Sequence, residues 1–451
     1  MNIIIIPDDV KIIMNRLNEY GFKSYVVGGA IRNNLLNIPV KDWDICTNAK
    51  PDEMLSIFRN FYTIETGIKH GTLTVVLNNV NYEVTTFRID GDYSDNRHPD
   101  SVEFVDDIVL DLSRRDFTIN AMAYNETEGL INPYGGQQDL KNGIIKCVGN
   151  PDDRFNEDAL RMMRAIRFAS QLNFEIDINL QESISKNHGL INNISKERIS
   201  SELCKILLSD HCSFYIWKLY DLFLMELIIH DLAICFGIKQ NNPWHIYDVG
   251  THIMTSLMDS PKDLTIRLAL LLHDIGKVVC KTTDEFGIDH FYGHEIESAR
   301  LAEAWLKEYK FTNEIIDDVV NLVLYHDYLW EFNKKSIKKL MNKIGIRLVQ
   351  DLVEIRQQDI LAQSEKYKES RLNELDEIRR IIGEIIYQQE AFSIKDLKIN
   401  GDDLVNMGFK PSKELGECLN SLLEMVIENP ELNNKEKLLE LAKENYGNRR
   451  Y

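Results

Sequence analysis

Hydrophobic and polar residues alternate in short runs at the start of the chain and then give way to helical spacing. Ser24-Tyr25-Val26-Val27, Gly71-Thr72-Leu73-Thr74-Val75-Val76 and Val80-Asn81-Tyr82-Glu83-Val84-Thr85 read as strands, rich in β-branched and aromatic residues. Asn78-Asn79 separates two of them as a hairpin turn would. From Asp152 onward Leu160, Met163, Ile166 and Phe168 recur near helical spacing, and Pro151 marks the join. No proline falls between Pro151 and Pro243 or between Pro261 and Pro411, so long helices can fill most of the remainder. The pattern predicts an α+β protein: a head with a mixed, mostly antiparallel sheet over residues 1–150, followed by a largely helical body. Within that body Lys334, Lys335, Lys338, Lys339, Lys343 and Arg347 precede Asp351 on a charged helical stretch. It is either a solvated helix face or a contact for an RNA backbone, where clustered amines displace counterions.

Composition narrows the classes. A chain of 451 residues that is 44% hydrophobic and 27% charged can bury more than one core, which excludes a disordered regulator or a stapled mini-protein. Cys46, Cys147, Cys204, Cys212, Cys235, Cys280 and Cys418 are odd in number, scattered and without a CxxC pair. A disulfide scaffold and a thiolate zinc site are therefore not expected, and a reducing compartment is. The apolar run Asn2-Ile3-Ile4-Ile5-Ile6-Pro7 is too short for a signal segment, and no stretch of 18 apolar residues follows, so the sequence reads as soluble and cytoplasmic, with no membrane partner. The formal charge of −19 argues against a protein coated in positive charge. It does not argue against a local arginine cleft, because screening acts over roughly 10 Å.

Candidate chemistry begins at Gly28-Gly29-Ala30-Ile31-Arg32, which follows the apolar run Tyr25-Val26-Val27 and places two glycines at a strand-to-helix turn where backbone N–H groups can approach a triphosphate. Lys41-Asp42-Trp43-Asp44 comes next. Period-two spacing puts Asp42 and Asp44 on one strand face, with hard oxygen ligands suited to two Mg²⁺ ions roughly 4 Å apart. Glu83 is the expected third carboxylate, with Asp106, Asp107, Asp111 and Asp116 as the other candidates. Arg114-Arg115-Asp116-Phe117-Thr118-Ile119-Asn120 offers guanidiniums, an acid and an amide for triphosphate and ribose. In Glu157-Asp158-Ala159-Leu160-Arg161-Met162-Met163-Arg164-Ala165-Ile166-Arg167, Asp158 and Arg161 stand at i,i+3, the spacing of one helical face. An acceptor and a donor so placed suit cytosine or adenine; UTP and GTP would leave unpaired polar groups.

Together these motifs resemble the class II tRNA nucleotidyltransferase family, a branch of the polymerase beta-like superfamily that includes CCA-adding enzymes and poly(A) polymerases, over roughly Tyr25 to Phe174. The resemblance implies that Asp42 and Asp44 bind Mg²⁺, with Glu83 completing the catalytic carboxylates. Gly28, Gly29, Arg32, Arg115, Asp116, Asn120, Asp158, Arg161, Arg164 and Arg167 would bind the incoming nucleotide. Asp158 and Arg161 would act as its amino-acid template and Arg164 as a brace. The implied reaction is template-independent addition of CCA to the 3′ end of tRNA from CTP and ATP, with A-only and poly(A) addition as the alternatives. Where the family has an acid after the Arg of its Gly-Gly turn this chain has Asn33, expected to weaken a local hydrogen-bond network without abolishing catalysis. The polar stretch Ile89 to Ser101 resembles the loop that family members need for the final A, which favours full CCA addition over CC addition.

Six of the eleven histidines fall between His245 and His326. Leu270-Leu271-Leu272-His273-Asp274 sets a His-Asp pair at the end of an apolar helical stretch, where imidazole and carboxylate can share a metal. With His252 before it and His294 and His326-Asp327 after it, the set resembles the HD phosphohydrolase superfamily. That resemblance implies a divalent ion (Mn²⁺, Ni²⁺ or Mg²⁺) on His252, His273, Asp274 and Asp327, with His290, His294 and His326 near a phosphate. It also implies phosphatase or 2′,3′-cyclic phosphodiesterase activity, or a scaffold that has lost it. The expected organisation is a nucleotidyltransferase head (1–150), a helical nucleotide-selecting neck and RNA-binding region (151–235), an HD-type helical domain (236–350) and a helical C-terminal RNA-binding tail (351–451). A stand-alone HD hydrolase would leave Asp42, Asp44, Arg115 and Asp158 without a task. The expected partners are the tRNA acceptor arm and 3′ end; monomer and homodimer are both compatible with the sequence.

Overall fold

The computed structural model describes residues 4–91 and 101–446. Most of the polar stretch Ile89 to Ser101 therefore lies outside the described residues. The chain divides into two compact units, Met1–His230 and Asp231–Tyr451.

The first unit is built on a seven-stranded sheet of β1 (Ser24–Val27), β2 (Asp44–Thr47), β3 (Tyr62–Ile64), β4 (Thr72–Leu77), β5 (Val80–Thr86), β6 (Ala123–Asn125) and β7 (Gly129–Ile131), in the order β3-β4-β5-β2-β1-β6-β7. Every pairing in it is antiparallel except β2 with β5. The mixed, mostly antiparallel sheet expected from the alternation is thus present. β1 is buried at all four positions, because it runs through the middle with neighbours on both sides. Asn78 and Asn79 both have positive φ, +52° and +64°, the pair of values that a two-residue hairpin loop between right-twisted strands requires.

The parallel pairing has a consequence for chemistry. Ile45 of β2 is in register with Val84 of β5, so Asp44 and Glu83, one residue earlier on each strand, sit side by side at one end of the sheet's inner strands. Across β1, Val27 pairs with Asp44, which brings the Gly28 turn to the same end. Strand β2 begins at Asp44, so Asp42 precedes the strand and does not share a strand face with Asp44 as the spacing suggested. Helix Leu160–Leu172 follows the sheet, burying Leu160, Met163, Ile166 and Phe168 as the periodicity implied. It packs on helix Lys196–Leu207.

The second unit is helical. Val249–Ser256, Leu264–Leu272, His294–Glu308, Asn313–Tyr325 and Ile346–Leu361 pack against one another around the apolar Leu264–Leu272 helix, whose residues from Ile266 to Leu272 are all buried. The last part of the chain has its own core of Leu404, Cys418, Leu422, Leu423, Val426 and Leu438. No helix among the described residues is long and apolar enough to cross a membrane. The cationic stretch is neutralised locally: Lys334 and Lys338 both reach Glu390, at 2.6 and 3.0 Å, Lys335 pairs with Glu428, Lys339 with Glu424 and Arg347 with Asp318. Lys338 is buried in this pairing, which favours ion pairing over an open face for RNA.

One close approach holds the head's arginine motif in place. Helix Gly136–Asn142 packs on the turn Thr118–Asn120 so tightly that a Cβ on Gly136 would lie 2.0 Å from the Thr118 carbonyl oxygen. Gly136→Ala is expected to cost about 2 kcal/mol through backbone displacement, read as a lower melting temperature; an unchanged melting curve would contradict this packing.

Candidate functional sites

In the first unit a cavity of about 530 Å³ is lined by Gly28, Gly29, Arg32, Asp44, Arg114, Arg115, Asp116, Asn120, Asp158, Arg161, Arg164, Arg167 and Arg198, with Phe168 on its wall. The motifs that are scattered over 140 residues of sequence thus share one pocket. Gly28 is needed at the turn: its φ is +66°, and a Cβ there would lie 2.9 Å from Nη1 of Arg115.

Seven arginines face three aspartates in this lining, so the anions that hold the guanidiniums are decisive. Asp111, fully buried, accepts from Arg114 at 2.8 Å and from Arg115 at 3.4 Å. It is therefore the counter-ion of the arginine pair and not a metal ligand. Asp116 is bound by Arg164 at 2.9 and 2.5 Å and by the Asn120 amide at 3.1 Å. Burial raises its proton affinity, but Arg164 and Asn120 outweigh this and hold its carboxyl at about 2. Arg167 pairs with Glu202 at 2.6 Å. Asp107 caps the helix Ile108–Ser113. Asp107, Asp111 and Asp116 are thus engaged elsewhere, and Glu83 stands beside Asp44.

Arg32 is held by neutral acceptors. Nη1 donates to Asn120 Oδ1 at 2.7 Å, and Nε and Nη2 both donate to Asn33 Oδ1 at 3.1 and 2.9 Å. Asn33 thus gives Arg32 two hydrogen bonds and no negative charge. Burial, with Arg167 and Arg164 nearby, lowers the Arg32 guanidinium to about 10. Three guanidiniums, of Arg32, Arg164 and Arg167, lie over the Phe168 ring, at 4.9, 5.3 and 3.9 Å from its centre.

At the mouth of the carboxylates the balance reverses. Asp44 is raised above the usual carboxylate range by burial and by Asp42, against the pull of Arg115, and Glu83 is raised by burial and by Asp44 and Asp42. A divalent cation held by these carboxylates would relieve their mutual repulsion.

Asp158 and Arg161 are differently placed than the i,i+3 spacing implies. The helix starts at Leu160, and Asp158 precedes it with extended backbone, φ −144° and ψ 102°. Its Oδ1 accepts from the Leu160 N–H at 3.0 Å, and its Oδ2 from Arg198 at 2.7 Å. Arg161 pairs with Glu157 at 2.5 Å and donates to the carbonyls of Arg154 and Arg114, both at 3.2 Å. The two do not form one helical face, yet both line the pocket. Arg198 and Glu202 were not singled out from sequence; they lie on a later helix, and no local motif marks them.

The second unit holds a cavity of about 740 Å³ lined by Asp274, Lys277, His290, His294, His326 and Asp359, among others. At its base four histidines and two aspartates converge. His252 Nε2 lies 3.0 Å from Asp359 Oδ1 and 3.4 Å from Asp274 Oδ2, and His273 Nε2 is 3.3 Å from Asp274 Oδ2. His294 Nε2 and His326 Nε2 are 3.4 and 3.5 Å from Asp274 Oδ1 and 3.2 Å from each other. His252, His273 and Asp274, and again Asp274, His294 and His326, have ligand atoms within 4.8 Å of one another. Each of the four rings turns Nδ1 toward a backbone carbonyl: His252 to Ala362, His273 to Leu270, His294 to Phe291 and His326 to Val323. A proton on each Nδ1 would leave four Nε2 lone pairs facing a carboxylate, an arrangement that a further proton or a cation would relieve. Asp274 Oδ1, His252 Nε2 and His273 Nε2 are buried without a hydrogen-bond partner among the described residues, while Asp274 Oδ2 faces the Lys277 ammonium at 2.7 Å.

Three sequence expectations shift here. Asp327 follows the end of the helix Asn313–Tyr325 and turns its half-exposed side chain to Arg356 at 2.8 Å; the acid beside His252 is Asp359, from the next helix but one. His294 and His326, expected near a phosphate, stand on Asp274 itself. His290 lines the cavity but is held by Asp284 at 2.9 Å and stacked on Tyr292.

Three family models match separate stretches of the chain: the Poly A polymerase head domain over 24–146, the probable RNA and SrmB-binding site of polymerase A over 173–235, and tRNA nucleotidyltransferase domain 2 over 295–442. The chain is 34% identical over 442 residues to the CCA-adding enzyme of Ligilactobacillus salivarius, covering 97% of each chain. It is 50% identical over 195 residues to that of Geobacillus thermodenitrificans, 43% of this chain and 48% of the relative. Among solved structures it resembles the Bacillus stearothermophilus CCA-adding enzyme in complex with CTP, with a TM-score of 0.68, 26% identity and 97% of both chains covered. The fold is also that of the Thermotoga maritima CCA-adding enzyme complexed with tRNA, with a TM-score of 0.58, 20% identity and 97% and 96% of the two chains covered.

The Asp116 pairing can be tested by pH. Its folded carboxyl lies below the unfolded value, so its contribution is present above about 4 and is lost as pH falls toward about 2. Asp116→Asn is expected to melt lower than the parent protein by about 2 kcal/mol at neutral pH, with the gap closing across that acid window. A gap independent of pH would contradict the pairing.

Proposed function

The chain belongs to the CCA-adding enzyme family of class II tRNA nucleotidyltransferases, and on that premise we propose that the arginine-rich pocket of the first unit selects CTP and ATP and joins them to the tRNA end. The reaction is template-independent addition of cytidine, cytidine and adenosine to the 3′ end of tRNA. The observation that carries the site assignment is that Asp44, Asp158 and Arg161 line one cavity with the arginine set.

In this reading Gly28 and Gly29 let backbone approach the phosphates, and Arg32, Arg115, Arg164 and Arg167 bind the triphosphate, with Asp116 and Asn120 orienting Arg164 and Arg32. Asp158 accepts the exocyclic amino group of cytosine or adenine, and Arg161 donates to a ring nitrogen or carbonyl. UTP would set its O4 acceptor against a carboxylate, and GTP its N1–H against a guanidinium, each an unpaired contact. The 3′-hydroxyl oxygen of tRNA bonds to the α-phosphorus, the bond to the β-phosphate oxygen breaks, pyrophosphate leaves and the hydroxyl proton is released. Asp42, Asp44 and Glu83 would hold two Mg²⁺ ions, which when bound supply activation of the hydroxyl and neutralisation of pyrophosphate charge.

The decisive experiment supplies a tRNA ending at its discriminator base with CTP and ATP, singly and together, and sequences the 3′ ends. CCA termini are expected; A-only or poly(A) tails would replace this reading with its alternatives. Asp42→Ala and Asp44→Ala should each abolish incorporation, and normal activity in the double variant would sink the assignment.

The converging histidines support a second reading for the Asp231–Tyr451 unit: an HD-type site in which His252, His273, Asp274, Asp359, His294 and His326 would hold one or two divalent ions. Bound there, Mn²⁺, Ni²⁺ or Mg²⁺ would supply a polarised phosphoryl group for hydrolysis of a phosphomonoester or a 2′,3′-cyclic nucleotide. Lys277 and the cavity's aromatic wall, Trp244 and Tyr292, would orient the substrate. Stoichiometric Mn²⁺ or Ni²⁺ is expected to raise the melting temperature by mass action, and Asp274→Asn to remove the shift. Absence of bound metal, together with no hydrolysis of a 2′,3′-cyclic nucleotide, would leave the unit as a scaffold.

A further inference from the structure

Both groups proposed to read the base are held by neighbours, but in different ways. Arg161 is fixed by Glu157, four residues before it, and by two carbonyls. Asp158 is fixed from far away in sequence: Arg198, on helix Lys196–Leu207, donates Nη2 to Asp158 Oδ2 at 2.7 Å, while Oδ1 is occupied by the Leu160 N–H. The two side chains of this pair are 23% and 17% exposed, and both line the nucleotide cavity. Arg198 Nη1 is buried without a hydrogen-bond partner among the described residues.

The same helix repeats the device with the sign reversed. One turn after Arg198, Glu202 pairs with Arg167 at 2.6 Å. A cation opposite Asp158 and an anion opposite Arg167, four residues apart, let one face of this helix pair with both signs of charge from the pocket lining.

We infer that Arg198 is a positioning residue for nucleotide choice, aiming the Asp158 carboxylate at the base; the inference rests on the base-reading role proposed for Asp158. A carboxylate tied at both oxygens to fixed donors cannot pivot, yet each oxygen keeps a lone pair for the amino group of cytosine or adenine. Without the guanidinium, Oδ2 is free to swing about the side-chain torsion, and the penalty that UTP meets is blurred.

The test is steady-state kinetics of the full-length protein on tRNA primers with CTP, ATP, UTP and GTP, for Arg198→Met, Arg198→Lys and Asp158→Ala. Arg198→Met is expected to raise KM for CTP and ATP about tenfold with kcat within about threefold, and to cut the preference for CTP over UTP by about tenfold. Arg198→Lys, which keeps the charge but not the fork, should recover part of the preference, and it serves alone if the Met variant does not fold. A uniform fall in kcat for all nucleotides with the preference intact would make Arg198 a structural brace and overturn the inference. If Asp158→Ala changes nucleotide preference and neither Arg198 variant does, the inference fails while the pocket reading stands. If Asp158→Ala leaves preference unchanged, both fail.

Discussion

Seven guanidiniums crowd one cavity of the first unit, and their mutual repulsion has to be answered by anions from several elements before that unit can close. Asp111 from the helix before the arginine pair, Asp116 within the motif, Glu157 and Asp158 from the sheet-to-helix join, and Glu202 from a later helix each take one or two. Arg32 alone is met only by amide oxygens, and its guanidinium is the one lowered to about 10. The pocket is thus neutralised enough to fold and still cationic enough to attract a polyphosphate. A chain of net charge −19 can thus keep an arginine-lined cavity, because acids from several elements pair with the guanidiniums one by one.

The second unit presents the complementary problem. Its cavity gathers four imidazole Nε2 atoms around the buried Asp274 and Asp359, and Lys277 is a cation that answers Asp274. Backbone carbonyls at the ends of the helices set each ring by its Nδ1. A protein interior tolerates such a cluster only when protons or metal ions share it. Each unit thus gathers an excess of one kind of charged or ligating group around a cavity.

The cationic run at Lys334 carries a different lesson. Six basic residues within fourteen look like a nucleic-acid surface, but Glu390, Glu424, Glu428 and Asp318 come from other elements to meet five of them. Counting charges along the chain cannot distinguish the two cases, because the deciding partners lie up to 93 residues away.

Local chemistry was legible in the sequence. The alternation of β1, β4 and β5, the Asn78-Asn79 turn, the positive-φ Gly28, the helical periodicity after Pro151 and the apolar helix ahead of His273-Asp274 all follow from interactions between residues a few positions apart. The motif residues Gly28, Arg32, Asp44, Arg115, Asp158 and Arg161 were recognisable one by one, but that they line one cavity, with Arg198 beside them, is a product of the packing. What only the tertiary structure decided is which charged groups face each other: that Glu83 neighbours Asp44 through a parallel pairing, that Asp111 neutralises arginines, that Asp359 and not Asp327 meets His252, and that Arg198 holds Asp158. Propensity and periodicity act over one or two turns of chain, whereas Coulomb pairing in a buried site depends on distance in space, and that distance exists only once the helices and the sheet have packed.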